Sequence, residues 1–154
     1  MINRQRAGVV GLVLSASAFV GILNHEGYFD VAAPPVKGDA CTYGFGTTEG
    51  VKCGDRITPP KAVNRALTDV SKFEGAIKQC VQVPLAQNEY DAYVSLAYNI
   101  GPTAFCNSSL VKKLNAKDYA GACQAILSWD KFQGRTLPGL TRRRLDEYHQ
   151  CIGT

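Results

Sequence analysis

The sequence predicts an α+β fold: a mainly helical domain with one small β-hairpin lobe and an apolar helix at its N-terminus. Three observations carry that expectation. After Thr58 apolar residues recur three and four positions apart, the period of helices that bury one face. Between Gly27 and Asp55 that period is absent, and glycine, proline, threonine and tyrosine dominate, a composition of strands and tight turns. Ahead of both lies an uncharged apolar run from Ala7 to Leu23. With 154 residues, 45% of them hydrophobic and 19% charged, the chain suits one hydrophobic core and is neither disordered nor a repeat array. The expected organisation is a distinct N-terminal segment over 1–23 and a single domain over 24–154.

The N-terminal run follows Asn3-Arg4-Gln5-Arg6. Two arginines on that side direct the remainder of the chain out of the cytoplasm by the positive-inside rule. Three fates fit an exported segment of this kind. Ala16-Ser17-Ala18 has the small residues a signal peptidase reads, so the segment is a candidate for removal with the mature chain beginning at Phe19. Permanent anchoring wants about 20 strongly apolar residues, whereas this run is shorter and broken by Gly8, Gly11, Ser15, Ser17 and Gly21. The same small residues make a weak anchor that later leaves the bilayer the third fate.

In the hairpin region Val36-Lys37-Gly38-Asp39 is the expected turn. Thr58 followed by Pro59 and Pro60 marks a helix start, because proline suits the first turn and threonine can cap its free N–H groups. Ala62, Ala66, Val70, Phe73 and Ile77 share a face of that helix, which should end near Cys80. Pro84 interrupts the pattern. Tyr90, Tyr93, Val94, Ala97 and Tyr98 then form the stripe expected to be most buried, ending at Gly101-Pro102. Asn107-Ser108-Ser109 caps a short helix through Leu114, Asp118 begins another with Ala122, Ile126 and Trp129, and a last one follows Gly139. Arg142, Arg143 and Arg144 are expected on its solvated face.

Cysteines stand at 41, 53, 80, 106, 123 and 151. An even number in a small exported chain reads as three disulfides. Six cysteines allow fifteen connectivities, which the sequence alone leaves open; Cys41 with Cys53, which flank the hairpin, is the first pairing expected, and Cys80 with Cys106 and Cys123 with Cys151 are the next. A zinc site is the alternative, but there is no C-x-x-C, and only His25 and His149 offer nitrogen. No metal or cofactor is therefore expected. The net charge of +4 suits an anionic partner without choosing one.

The chemistry concentrates near His25-Glu26-Gly27, with Thr42-Tyr43-Gly44-Phe45-Gly46-Thr47-Thr48 downstream. A helix ending in an acid, followed by a strand of hydroxyls and glycines, can form one side of a cleft. These residues resemble the phage-type lysozymes of glycoside hydrolase family 24, whose pattern is E-G, an acid, then T-x-G-[FY]-G-x-T. The resemblance continues through Gly54-Asp55, Pro59–Ala66, Tyr98-Asn99-Ile100-Gly101, Phe105, Asn107-Ser108, Trp129 and Gly139-Leu140 to Arg143-Arg144. It implies a lysozyme-like fold and hydrolysis of the β-1,4 bond between N-acetylmuramic acid and N-acetylglucosamine in peptidoglycan.

Each implied role has a physical reason. A glycosidic oxygen leaves readily only once protonated, which asks for a carboxylic acid kept neutral by its surroundings. Glu26 matches that acid. Thr42 matches the threonine that helps hold the attacking water, and Gly44 and Gly46 allow close approach to the backbone. Tyr98 and Ser108 match residues lining the saccharide cleft, with a core aromatic and a helix cap as their ordinary readings. His25, beside the acid, is expected to be structural. The second carboxylate departs from the family: where its aspartate is expected the chain reads Ala33-Pro34-Pro35-Val36. Asp39, at the turn before Thr42, is the preferred replacement over Asp30, which is expected at a helix end.

The Gly/Ala/Ser-rich N-terminal segment resembles the signal-anchor-release segments of some phage endolysins. That resemblance implies insertion in the host inner membrane, release to the periplasm, and refolding of about Ala7–Leu23 as the first helix. A monomer is expected, with no nucleic-acid partner. The rival functions are a lytic transglycosylase, which cuts the same bond without adding water, and a non-catalytic wall-binding protein. The lack of H-E-x-x-H and the presence of only two histidines speak against a zinc amidase or protease.

Overall fold

The computed structural model describes residues 4–154, and its first α-helix starts later than the apolar run predicts. Ala7 and Leu85 exchange backbone hydrogen bonds of 2.8 and 2.9 Å, Val9–Gly11 form one 3₁₀ turn, and α1 spans Ala16–Glu26. The expected helix across Ala7–Leu23 is thus corrected to its second half and one further turn. Ser15 is the cause: its hydroxyl accepts the Ala18 N–H at 3.2 Å, capping the helix at that point. No helix among the described residues is long and apolar enough to cross a membrane.

Contacts divide the chain into two compact units, one of residues 19–72 and the other of residues 4–18 with 73–154. The first unit contains most of α1 and the antiparallel pair β1 (Phe29–Ala33) and β2 (Thr42–Gly44), in which Phe29 faces Gly44 and Ala33 faces Thr42. Four steps on β1 match two on β2, so β1 carries the irregularity. Val31 also bridges to Arg56, with Ala32 N–H to Asp55 O at 2.8 Å and Ile57 N–H to Asp30 O at 3.0 Å. The Cys41–Cys53 disulfide ties the strand entry to the following loop. α2 runs from Pro59 to Cys80, and Ala62, Ala66 and Val70 are buried along it.

In the second unit α3 (Gln87–Ile100) is central, with every residue from Glu89 to Ala97 buried. Around it stand α4 (Pro102–Cys106), α5 (Ser109–Asn115), α6 (Tyr119–Ala125) and, after a 3₁₀ turn at Ile126–Ser128, the two-residue strands β3 (Lys131–Phe132) and β4 (Arg135–Thr136). The chain ends in α7 (Pro138–Ile152), which packs on α3. Ser108 caps α5 by accepting the Val111 N–H, and Asp118 caps α6 by accepting that of Gly121. Cys80–Cys106 and Cys123–Cys151 are bonded. The arginines of α7 correct the sequence reading: Arg142 is exposed, but Arg143 and Arg144 are buried. Their guanidinium groups reach the Glu147 carboxylate at 3.1 and 3.2 Å, and Ser95 Oγ donates to it at 2.7 Å. Burying those charges is tolerable because they share an acceptor.

Candidate active site

Glu26 is the last residue of α1, where the helix gives way to Gly27 in a left-handed conformation (φ 70°). Gly27 donates to Leu23 O at 3.0 Å, so the helix closes cleanly and its final side chain is held on a rigid element. Glu26 is half-buried as a residue. Its wall is Gly46: a Cβ built there would stand 3.2 Å from Glu26 Oε2 and 3.7 Å from its Cδ. A side chain at 46 would therefore press on the acid, and φ of 88° disfavours one in any case.

The loop carrying Gly46 is a closed turn. Tyr43 and Thr47 exchange two backbone hydrogen bonds of 3.1 Å, and Gly44 lies against α2, where a Cβ would meet Ala62 Cβ at 3.0 Å. At the tip, the Phe45 ring sits 5.7 Å from that of Tyr28. Thr42 opens β2 in a half-buried position. Asp39 is exposed on the Val36–Asp39 turn, its N–H donating to Val36 O at 3.0 Å. Asp30 lies on β1 instead of at a helix end, in an exposed ion pair with Arg56 at 2.8 Å. Glu26, Asp30, Asp39 and Thr42 all fall within residues 19–72.

Tyr98 and Ser108 belong to the other unit. Tyr98 packs edge-on against Phe73 with ring centroids 5.1 Å apart. Ser108 Oγ donates to Phe105 O at 2.6 Å while accepting from Val111, so its hydroxyl serves the start of α5. Among the described residues no cluster of three His, Cys, Asp or Glu side chains is placed to hold a metal. One pair escapes sequence reasoning. Buried Thr47 donates its hydroxyl to Asp69 Oδ2 at 2.7 Å. The available signal is an acid at position 69, beside the stripe of Ala62, Ala66 and Val70.

Comparison with known proteins gives the family. The phage lysozyme family model matches residues 23–147. The chain belongs to the phage lysozyme family. The endolysin of Acyrthosiphon pisum secondary endosymbiont phage 1 is 38% identical over 138 residues, covering 87% of this chain and 94% of the relative. The SAR-endolysin of Pseudomonas phage phiKMV is 34% identical over 146 residues, with 89% and 87% covered. Among solved structures, the muramidase domain of SpmX from Asticaccaulis excentricus superposes with a TM-score of 0.83 at 29% identity, over 91% of this chain and 97% of that one. The protein is accordingly a lysozyme, a glycoside hydrolase acting on the glycan strands of peptidoglycan.

Proposed function

We propose that this lysozyme is an endolysin in which Glu26 is the general acid. Glu26 protonates the oxygen between N-acetylmuramic acid and N-acetylglucosamine, the C–O bond breaks as positive charge develops on the sugar ring, and water adds to the anomeric carbon. Asp39 takes the proton that this water gives up, and the Thr42 hydroxyl holds the water in place. The observation that carries the reading is the Gly46 wall against the Glu26 carboxylate: a rigid helix end, packed where the loop carries no side chain, presents one acid at a fixed position. Asp39 is preferred to Asp30 because Arg56 already engages Asp30. Tyr98 and Ser108 contact the saccharide by resemblance alone. The enzyme acts as a monomer, since one chain supplies Glu26, Asp39 and Thr42.

Export to the periplasmic face of the inner membrane, followed by release without cleavage, is the reading we adopt for residues 1–23. The names of relatives such as the phiKMV SAR-endolysin support it, and so do the contacts of residues 4–18. Arg6 reaches both oxygens of the buried Glu89 at 2.7 and 3.1 Å, and the Ser15 hydroxyl reaches the buried Asp91 at 2.6 Å. Cleavage before Phe19 would take these partners from two buried carboxylates. No cysteine precedes Cys41, so a thiol within the segment cannot be the switch, and loss of the membrane potential is the proposed trigger.

The test is Glu26→Gln on purified peptidoglycan. The amide is nearly isosteric and has no acidic proton, so the fold persists while turnover falls by roughly 10² to 10⁴, the usual scale for general acid catalysis. Retention of more than about a tenth of the activity, well outside that scale, removes Glu26 from the role.

A further inference from the structure

We propose that Thr47 and Asp69 are positioning residues for the reaction: their hydrogen bond locks the turn from Tyr43 to Thr47 against the Glu26 carboxylate. This deepens the reading of Glu26 as the acid and rests on it. Gly44 and Gly46 both adopt positive φ, 60° and 88°, and a glycine-rich turn has many alternative conformations when it is free. Precision at Gly46 therefore has to come from what fixes the turn: Phe45 packs on Tyr28 and Gly44 pairs with Phe29, and several further attachments lead to α2. Gly44 abuts Ala62. Arg65 donates to Glu49 O at 2.6 Å, and Lys72 is paired with the Glu49 carboxylate.

Among the attachments to α2, that of Thr47 directly follows Gly46 in the chain. Thr47 is buried with 1% of the residue exposed, and its hydroxyl donates to Asp69 Oδ2 at 2.7 Å. The surface pairs made by Glu49 are long, flexible and screened. A short buried hydroxyl bonded to a carboxylate has little freedom to wander. Even one added carbon at Gly46 would crowd the acid, so a displacement of the turn by about 1 Å alters the wall that Glu26 rests on, and displacements of that size can cost about 10²-fold in rate. Neither residue touches substrate; each acts through Gly46.

The experiment uses the full chain on purified peptidoglycan, with kcat, KM and the melting temperature measured for Thr47→Val, Thr47→Ser and Asp69→Ala. Thr47→Val keeps the side-chain shape and removes the donor, whereas Thr47→Ser keeps the donor. The expected result is a fall in kcat of about ten-fold or more for Thr47→Val and Asp69→Ala at nearly unchanged KM, with Thr47→Ser close to the parent. A normal kcat in a folded Thr47→Val, a loss confined to KM, or a Thr47→Ser variant as impaired as Thr47→Val overturns the proposal. Should Thr47→Val not fold, half-buried Asp69 carries the same comparison, and an unchanged kcat in Asp69→Ala overturns it. Glu26→Gln is assayed in parallel. If it stays active, the acid assignment fails; if it is inactive while Thr47→Val and Asp69→Ala turn over normally, only the positioning role fails.

Discussion

Asp30 and Asp39 both fall between Glu26 and Thr42 in the sequence, and they differ chiefly in company. Asp30 is engaged by Arg56 across β1, an exposed pair of the kind worth about 0–1 kcal/mol. Asp39 stands on a turn three residues before Thr42, on a loop that the Cys41–Cys53 disulfide anchors immediately afterwards. We expect Asp39→Asn to lower kcat on peptidoglycan by about 10²-fold or more, the lower end of what a general base contributes, and Asp30→Asn to stay near the parent rate. Equal and near-normal rates for both variants would show that the water is activated without either. The arginines of α7 make the complementary point about single residues. Arg143 and Arg144 read as surface charge because three consecutive cations usually are. Their burial is set by Glu147, Ser95 and the Trp129 carbonyl, and the last two are partners distant in sequence that only the fold assembles.

At the level of helices and strands, local chemistry is a good guide wherever it acts within a few residues. Thr58-Pro59-Pro60 and the stripe to Ile77 delimit α2, and Ser108 and Asp118 cap α5 and α6. Elements fixed by distant contacts are not legible in this way. The start of α1 at Ala16 depends on Ser15 and its partner Asp91, while the short β3–β4 hairpin turns through Gln133 and Gly134, both at positive φ, with no alternating apolar pattern to announce it. Asp69 escapes notice for the same reason, since an acid on a helix is ordinarily solvated. α3 supplies a measurable consequence of burial. Burial holds the phenols of Tyr90 and Tyr93 above the usual tyrosine range, helped at Tyr90 by its 2.8 Å hydrogen bond to Glu74 and at Tyr93 by the charge of Glu89. Because the folded state keeps these protons more tightly than the unfolded chain does, their stabilisation is complete below the ordinary phenol pKa of about 10 and is lost as the pH rises above it. In an alkaline titration Tyr90 and Tyr93, of seven tyrosines, should ionise only together with loss of helical circular dichroism. Ionisation of all seven while the helices remain intact would contradict that burial.

For the molecule as a whole, the proposed release gives the N-terminal segment two homes that compete. In the folded enzyme Arg6 pairs with Glu89 and covers the Tyr119 ring at 3.6 Å, Leu14 N–H donates to Glu74 at 2.7 Å, and Ser15 occupies Asp91 through both its N–H and its hydroxyl. In the bilayer, on that reading, the run from Ala7 to Leu23 would be held by apolar transfer, which Gly8, Gly11, Ser15, Ser17 and Gly21 keep weak. Release depends on the first home outweighing the second, so strengthening only the second should hold the enzyme back. Gly8, Gly11 and Gly21 are the positions for this. A Cβ at any of them meets nothing within 4 Å in the folded enzyme, and a leucine adds membrane affinity of roughly 1.5–3 kcal/mol where its side chain is fully buried in lipid. Ser15 is left alone because replacing it would also remove the α1 cap and the Asp91 contact. The triple leucine variant should stay in the inner membrane and lyse cells late or not at all, while the same variant extracted and refolded should cleave peptidoglycan at close to the parent rate. Fractionation of expressing cells and a lysis time course check the first half, and an assay in solution checks the second. Lysis on the normal schedule, or an active mature chain that begins at Phe19, would replace release by removal of an ordinary signal peptide.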